Sequence, residues 1–218
     1  MTTRGPVNEE LEAGAASGIV RPYRSGDEDA LSEVCLKTGD SGKDATGRFD
    51  DDELLAHVYL LPYLALEPEL AFVLDIDGRA VGYIVGTADS VSFAQRYRRR
   101  WLPVFAERYP LTDPALTPTQ RLIQVGHHPE HAIGPDHELF PAHLHIDLLP
   151  EAQGKGWGRT LMRTLLASLR AAGAPGVQLG VGADNLGARA FYRRLGFTPL
   201  PSTPADDLRL AISTDSVL

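Results

Sequence analysis

The stretch Pro150-Glu151-Ala152-Gln153-Gly154-Lys155-Gly156-Trp157-Gly158-Arg159 restricts the fold of this chain more than any other. It lies between two patterns of different period. His143 to Leu149 reads as a strand. Arg159 to Ala172 reads as an amphipathic helix, with Leu161, Leu165 and Leu169 along one row and Met162 and Leu166 beside it. A strand that turns into a helix through closely spaced glycines offers unpaired N–H groups and a backbone that a ligand can approach. Such a turn suits an anion, a phosphate or a pyrophosphate. The stretch is not a P-loop, because no Gly-Lys-Ser/Thr follows a glycine at the required spacing. It is not a dinucleotide fingerprint either, since the third glycine comes one residue too early. On this local chemistry alone, a glycine-rich turn that binds nothing stays open.

The flanking pattern gives the turn a setting. Downstream, Val177 to Val181 reads as a strand, Asn185 caps a helix from Leu186 to Leu195, and Gly196 closes it. Phe197 to Leu200 and Leu208 to Ile212 read as closing strands. Upstream, residues 1–18 read as a tail poor in large apolar side chains, and Ile19 to Tyr23 as a strand. Asp27 is the expected N-cap of a helix carrying Ala30, Leu31, Val34 and Cys35. A polar loop over 37–44 leads to a second helix expected from about Asp51 to Tyr63. Two strands, Ala71 to Ile76 and Ala80 to Val85, flank the hairpin signal Asp77-Gly78. Residues 90–109 read as one helix, and 110–141 as a proline- and histidine-rich stretch without periodicity. The mixed order, with no internal repeat, predicts a single α/β domain over residues 19–218.

The chain has 218 residues, a formal net charge of −8 and one cysteine. That length fits one domain able to fold without a metal or disulfide staple. Cys35 alone excludes an internal disulfide and any CxxC motif. No apolar run is long enough for a bilayer, and the N-terminal residues lack the apolar core of a signal peptide, so a cytoplasmic protein without membrane contact is expected. The acidic balance argues against nucleic acid as a partner.

Gln153-x-x-Gly156-x-Gly158 matches the (Arg/Gln)-x-x-Gly-x-(Gly/Ala) loop of the GNAT superfamily of acyl-CoA-dependent N-acetyltransferases, and the chain resembles that family well beyond the loop. Strand, loop, amphipathic helix, strand, Asn185, then a helix carrying Phe191-Tyr192-Arg193-Arg194-Leu195-Gly196-Phe197 is similar to the family's cofactor half, in order, over residues 141–200. Val34-Cys35-Leu36-Lys37-Thr38-Gly39-Asp40 also resembles the acetyltransferase-like domain at the C-terminus of O-GlcNAcase enzymes and its stand-alone bacterial relatives.

The resemblance implies a GNAT-like domain with a mixed, mostly antiparallel sheet of about six to seven strands flanked by helices, its central strands splayed to hold CoA. It implies that the amides of Gln153, Gly154, Lys155, Gly156, Trp157 and Gly158, continuing into Arg159, hold the CoA pyrophosphate, with Lys155 and Arg159 adding charge. Main-chain groups of Leu148 and Leu149 would pair with the pantetheine arm and the acetyl carbonyl, and would stabilise an oxyanion. Tyr192 would be the general acid that protonates the departing thiolate, and Asn185, two helical turns before it, would also touch the cofactor. The plainer readings are a core aromatic for Tyr192 and a simple N-cap for Asn185.

Six of the seven histidines fall between His127 and His145. No metal is expected, because Pro129 breaks the helical spacing of His127 and His131 and no other spacing builds a ligand set. His143, His145 and Asp147 alternate onto one strand face. Ala142-His143-Leu144-His145 is similar to the paired-histidine strand of aralkylamine acetyltransferases, but one residue out of register counted from the glycine loop. A one-residue slip reverses a side chain unless a bulge restores it. His145 and Asp147 are therefore candidates for a base or an amine-positioning group, against a plain polar sheet face. Asp40, Asp44 and Asp50 to Asp52 could receive a cationic amine or form a solvated loop, and Arg96 to Arg100 reads as a solvated helix face.

The expected function is an N-acetyltransferase that moves an acetyl group from acetyl-CoA to a primary amine, on a small molecule or a lysine side chain, by direct attack in a ternary complex. Cys35 lies in the first helix, away from the loop, so no covalent acyl-enzyme is implied. The alternatives are a catalytically weak or inactive acetyl-CoA/protein-binding module of the same fold and, more remotely, another phosphate-binding protein. A homodimer is compatible with either leading reading.

Overall fold

The computed structural model describes residues 18–200 and 208–218, so the tail expected over 1–18 lies outside the described residues apart from Gly18. The chain runs through β1 (Gly18–Pro22), α1 (Glu28–Thr38), α2 (Leu54–Tyr59), α3 (Leu61–Leu66), β2 (Ala71–Ile76) and β3 (Arg79–Thr87). It continues through α4 (Ser90–Arg100), α5 (Leu102–Arg108), α6 (Pro118–His127), β4 (Ala142–Leu148), α7 (Trp157–Ala171) and β5 (Gly176–Val181). α8 (Leu186–Arg194), β6 (Thr198–Pro199) and β7 (Leu208–Ser213) complete it. The strands form one open sheet of seven in the order β1-β2-β3-β4-β5-β7-β6. Every neighbouring pair is antiparallel except β4 with β5.

Local chemistry explains where this departs from expectation. The helix expected over 51–63 is two helices that break at Leu60, and Pro62 stands in the first turn of α3. The helix expected over 90–109 breaks at Trp101, with Pro103 in the first turn of α5. Proline has no N–H to give to the preceding turn and is tolerated only where a helix begins. The stretch 110–141 is not structureless. It holds α6, opened by Pro118 and a capping box in which Thr117 and Gln120 exchange hydrogen bonds, and a 3-10 turn over Pro129–Ala132. Asp27 does precede α1, but its carboxylate makes no cap bond and takes the Arg21 guanidinium at 2.8 Å through both oxygens. The hairpin forms as its signal predicts, with Asp77 at φ 53° and Gly78 at φ 82°.

The two faces of the sheet carry different loads. Gly86 of β3 lies under α7, where a Cβ would come within 3.2 Å of Leu165. The row Leu161, Met162, Leu165, Leu166 and Leu169 is fully buried there. Each such side chain stabilises the fold by about 1.5–3 kcal/mol. Side chains alternate along a strand, so Tyr83 and Val85 point to the other face, beneath α1 and α3. β4 pairs with β3 without a register shift from His143 opposite Thr87 to Leu148 opposite Gly82. His143, His145 and Asp147 therefore share the face of Tyr83.

β4 and β5 pair only at Ala142 with Val177 and at His143 with Gln178. Beyond that point the two strands part, and the gap opens toward the glycine turn at the end of β4.

Candidate active site

The turn between β4 and α7 is made by backbone conformation. Gly154 and Gly156 have φ of 72° and 88°, left-handed values that cost other residues about 1–2 kcal/mol. A Cβ on either would meet no atom within 4 Å, so the turn faces open space. Gly156 is the N-cap of α7 and no side chain caps it. The first N–H groups of α7 are thus left for something else, at the positive end of the helix dipole. Lys155 and Arg159 are exposed beside them, and neither forms an ion pair among the described residues. Gln153 turns back and donates from Nε2 to the Leu148 carbonyl at 2.8 Å, tying the turn to the strand. The Trp157 ring lies over Gly18 of β1, where a Cβ would stand 2.5 Å from it. Gly158 lets α8 approach: a Cβ there would be 3.1 Å from the Phe191 ring.

Leu148 and Leu149 have unequal backbones. Leu149 N–H donates to Val81 O at 2.9 Å, and Leu149 O accepts from Ala152 N–H, so neither group is free. Antiparallel alternation turns the N–H of Leu148 the other way, into the gap. Of the two, Leu148 alone offers a main-chain donor there.

Tyr192 projects from α8 and is 8% exposed. Its hydroxyl takes part in no hydrogen bond with the described residues, and it is not a sealed, unpartnered atom. Burial, and then the nearby Asp147 charge, push its pKa up, which keeps it protonated. Asn185 caps α8, accepting from the Ala188 N–H at 3.0 Å.

The polar face of β4 is a second cluster. Asp147 accepts from the Tyr83 hydroxyl at 2.6 Å. Burial pushes its pKa up, against the hydrogen bonds from Tyr83 and Thr38 that favour the carboxylate. Tyr63 of α3 stands between the two histidines, its oxygen 2.7 Å from His143 Nε2 and 3.1 Å from His145 Nε2. Ser90 Oγ lies 2.7 Å from His143 Nδ1. Burial drives the His143 pKa well below its ordinary value. It lowers that of His145 to about 4, with His131 adding to the effect. A cavity of about 20 Å³ adjoins His145, between Tyr59, Tyr63, Tyr97 and His131. That is room for one water. Sequence reasoning missed Tyr63 and Ser90. An apolar helix row hides the first, and Ser90 is separated from His143 by 53 residues.

Other candidates are drawn elsewhere. Asp40 pairs with Arg48, Asp44 with Lys37, and Asp51 with Arg108 and the Tyr109 hydroxyl. The expected solvated arginine face is only partly so, because Arg96 pairs with the buried Glu67 and Arg98 with Glu130. That Glu67–Arg96 pair borders a cavity of about 470 Å³ near the end of α7, and neither the gap nor the glycine turn lines it. His127 bonds the Tyr109 carbonyl, and no group of three or more His, Cys, Asp or Glu that could hold a metal occurs among the described residues. No helix among them is long and apolar enough to cross a membrane. Cys35 is not elsewhere: it is buried in α1 beside Tyr83 and Asp147, and burial pushes its thiol up to about 12.

An open α/β sheet, parted between its fourth and fifth strands and turned into a helix by glycines, is the class this fold defines. The model of the acetyltransferase (GNAT) family matches residues 43–197, and the chain belongs to that family. The fold supports acetyl transfer from acetyl-CoA. The crystal structure of SsHAT is 44% identical, with a TM-score of 0.87, covering 91% of this chain and 98% of that one. The PaiA N-acetyltransferase from Thermoplasma acidophilum, solved in complex with coenzyme A, shares the fold at 16% identity and a TM-score of 0.57, covering 90% of this chain and 99% of that one. Among curated proteins, the O-GlcNAcase of Rattus norvegicus is 28% identical over 181 residues, 81% of this chain. The chain spans 20% of that relative's length.

Proposed function

We propose that this protein transfers the acetyl group of acetyl-CoA to a primary amine by direct attack in a ternary complex. The observation that carries the reading is the parted β4–β5 pair with an uncapped glycine turn at its mouth. The amides from Gln153 to Arg159 would take the pyrophosphate, with Lys155 and Arg159 as flanking cations. The pantetheine arm would lie in the gap as an added strand, and Leu148 N–H would face the thioester oxygen. The amine nitrogen forms its bond to the acetyl carbon, and the oxyanion collapses with cleavage of the C–S bond. Tyr192 gives its proton to the departing sulfur. The proton lost by the amine goes to the polar face of β4, where His145 and Asp147 stand. A thiol at a pKa of about 12, buried in α1, is no nucleophile, which favours direct attack over an acyl-enzyme.

The acceptor is a small-molecule amine or a lysine side chain, and the site of action the cytoplasm. Calorimetric titration tests the reading: micromolar binding of acetyl-CoA is expected, with release of free thiol when amines are added. Absence of binding overturns it. Binding without thiol release across a broad amine panel favours an acetyl-CoA/protein-binding module. The similarity to part of an O-GlcNAcase, itself named for another activity, keeps that second reading in play.

A further inference from the structure

We propose that His145 is the proton acceptor of this reaction, that it accepts through Nδ1, and that a one-way hydrogen-bond chain through Tyr63, His143 and Ser90 holds it in the required tautomer. The inference rests on the acetyltransferase reading and adds to it the identity of the base and the atom that acts.

The direction of the chain is fixed at its far end. Ser90 Oγ lies 2.7 Å from the Pro141 carbonyl oxygen, a distance that requires a proton between two oxygens. A carbonyl only accepts, so the single serine proton is committed there. Ser90 Oγ can then only accept from His143 Nδ1, 2.7 Å away, and that nitrogen must carry hydrogen. Neutral imidazole has one N–H, so His143 Nε2 is a lone pair and takes the Tyr63 proton across 2.7 Å. The Tyr63 oxygen, its proton spent, accepts from His145 Nε2 at 3.1 Å. His145 then carries its hydrogen on Nε2, and Nδ1 is left as the basic atom.

Nδ1 of His145 is also the ring nitrogen that no described residue engages. It is not sealed either, because the only buried side-chain nitrogen or oxygen without a partner among the described residues is Arg96 Nε. Asp147 differs: the Tyr83 hydroxyl already donates to it at 2.6 Å. In the transfer, an amine proton passes to His145 Nδ1 as the C–N bond forms. The thiolate takes the Tyr192 proton as the C–S bond breaks, and a proton returns from His145 to the tyrosinate through solvent. Atoms and charge balance. His145 is thus catalytic, whereas Tyr63, His143 and Ser90 are positioning residues.

The titratable groups that line the small cavity with His145 come from four elements. Tyr59 comes from α2, Tyr63 from α3, Tyr97 from α4 and His131 from the 3-10 turn. His143 and Asp147 share its strand, and Tyr192 of α8 lies near Asp147. The hydroxyls are neutral near pH 7, and a protonated His131 would disfavour a second cation. The acid limb of kcat/KM should therefore lie well below the ordinary histidine value.

Nitrogen-15 NMR of histidine-labelled protein tests the chain directly near neutral pH. We expect His143 as the Nδ1–H tautomer and His145 as the Nε2–H tautomer. Tyr63→Phe should return His145 to a mixture of tautomers. It should also lower kcat for thiol release roughly tenfold to a hundredfold while leaving the KM for acetyl-CoA unchanged. Ser90→Ala, a gentler change, should shift the tautomer signals in the same sense. The Nδ1–H tautomer at His145 in the unmodified protein, with acetyl-CoA bound and turned over, would overturn this proposal alone. So would a Tyr63→Phe protein with tautomers and kcat unchanged. Failure of the unmodified protein to bind acetyl-CoA would overturn the acetyltransferase reading, and the role of His145 with it.

Discussion

The turn at the end of β4 is built from main-chain groups, whereas the face of the same strand beneath α1 and α3 is built from polar side chains. At the turn, two left-handed glycines and an uncapped helix supply N–H groups, and the side chains mostly serve other purposes. Trp157 lies on β1 and Gln153 holds the Leu148 carbonyl. Beneath α1 and α3, the strand gives a flat array on which the side chains of Tyr63, His143, His145, Tyr83 and Asp147 bond one another. A main-chain site tolerates side-chain exchange and fails when a conformation is lost. A side-chain site behaves the other way round.

The contrast can be broken most sharply at Tyr192, the proposed acid, which lies close enough to Asp147 to feel its charge. Tyr192→Phe should lower kcat roughly 10²-fold or more with little change in acetyl-CoA affinity, measured by thiol release and calorimetry. Unchanged turnover would remove its hydroxyl from the mechanism. Next comes Gly156→Val, which places a branched residue at φ 88°. The left-handed cost of about 1–2 kcal/mol should weaken acetyl-CoA binding roughly tenfold, while the His143 and His145 NMR signals stay in place. A pH series sharpens the other side. His143 is buried with its folded pKa lowered, so its contribution to stability is fully present above its unfolded pKa of about 6.5 and is lost as pH falls below it. One such group makes unfolding easier by up to about 1.4 kcal/mol per pH unit. Urea melts should show that slope, and His143→Gln should flatten it. The smallest effect belongs to Lys155→Ala, an exposed cation, expected to weaken acetyl-CoA binding only a few-fold and to lessen its dependence on salt.

The same contrast decides what the sequence disclosed. From His143 to Gly196 the elements lie as their patterns predict, because glycines, caps and a strict leucine row leave local marks. The GNAT resemblance and the open mixed sheet are borne out. Elsewhere the marks were present but weaker. Pro62 and Pro103 mark two helix breaks, and Thr117, Pro118 and Gln120 spell a helix start ahead of few apolar residues. The array beneath α3 is not local at all. Tyr63 and His143 are 80 residues apart, and only the folded sheet unites them.

Trp157 offers a practical consequence. It is one of two tryptophans in the chain, and its ring lies on Gly18 at the first step of the glycine turn. The other, Trp101, donates from its indole to the His57 carbonyl, at the junction of α4 and α5. Replacing Trp101 by Phe would leave a protein whose whole indole fluorescence originates at the turn, so that its occupancy could be followed by emission, without label and in real time.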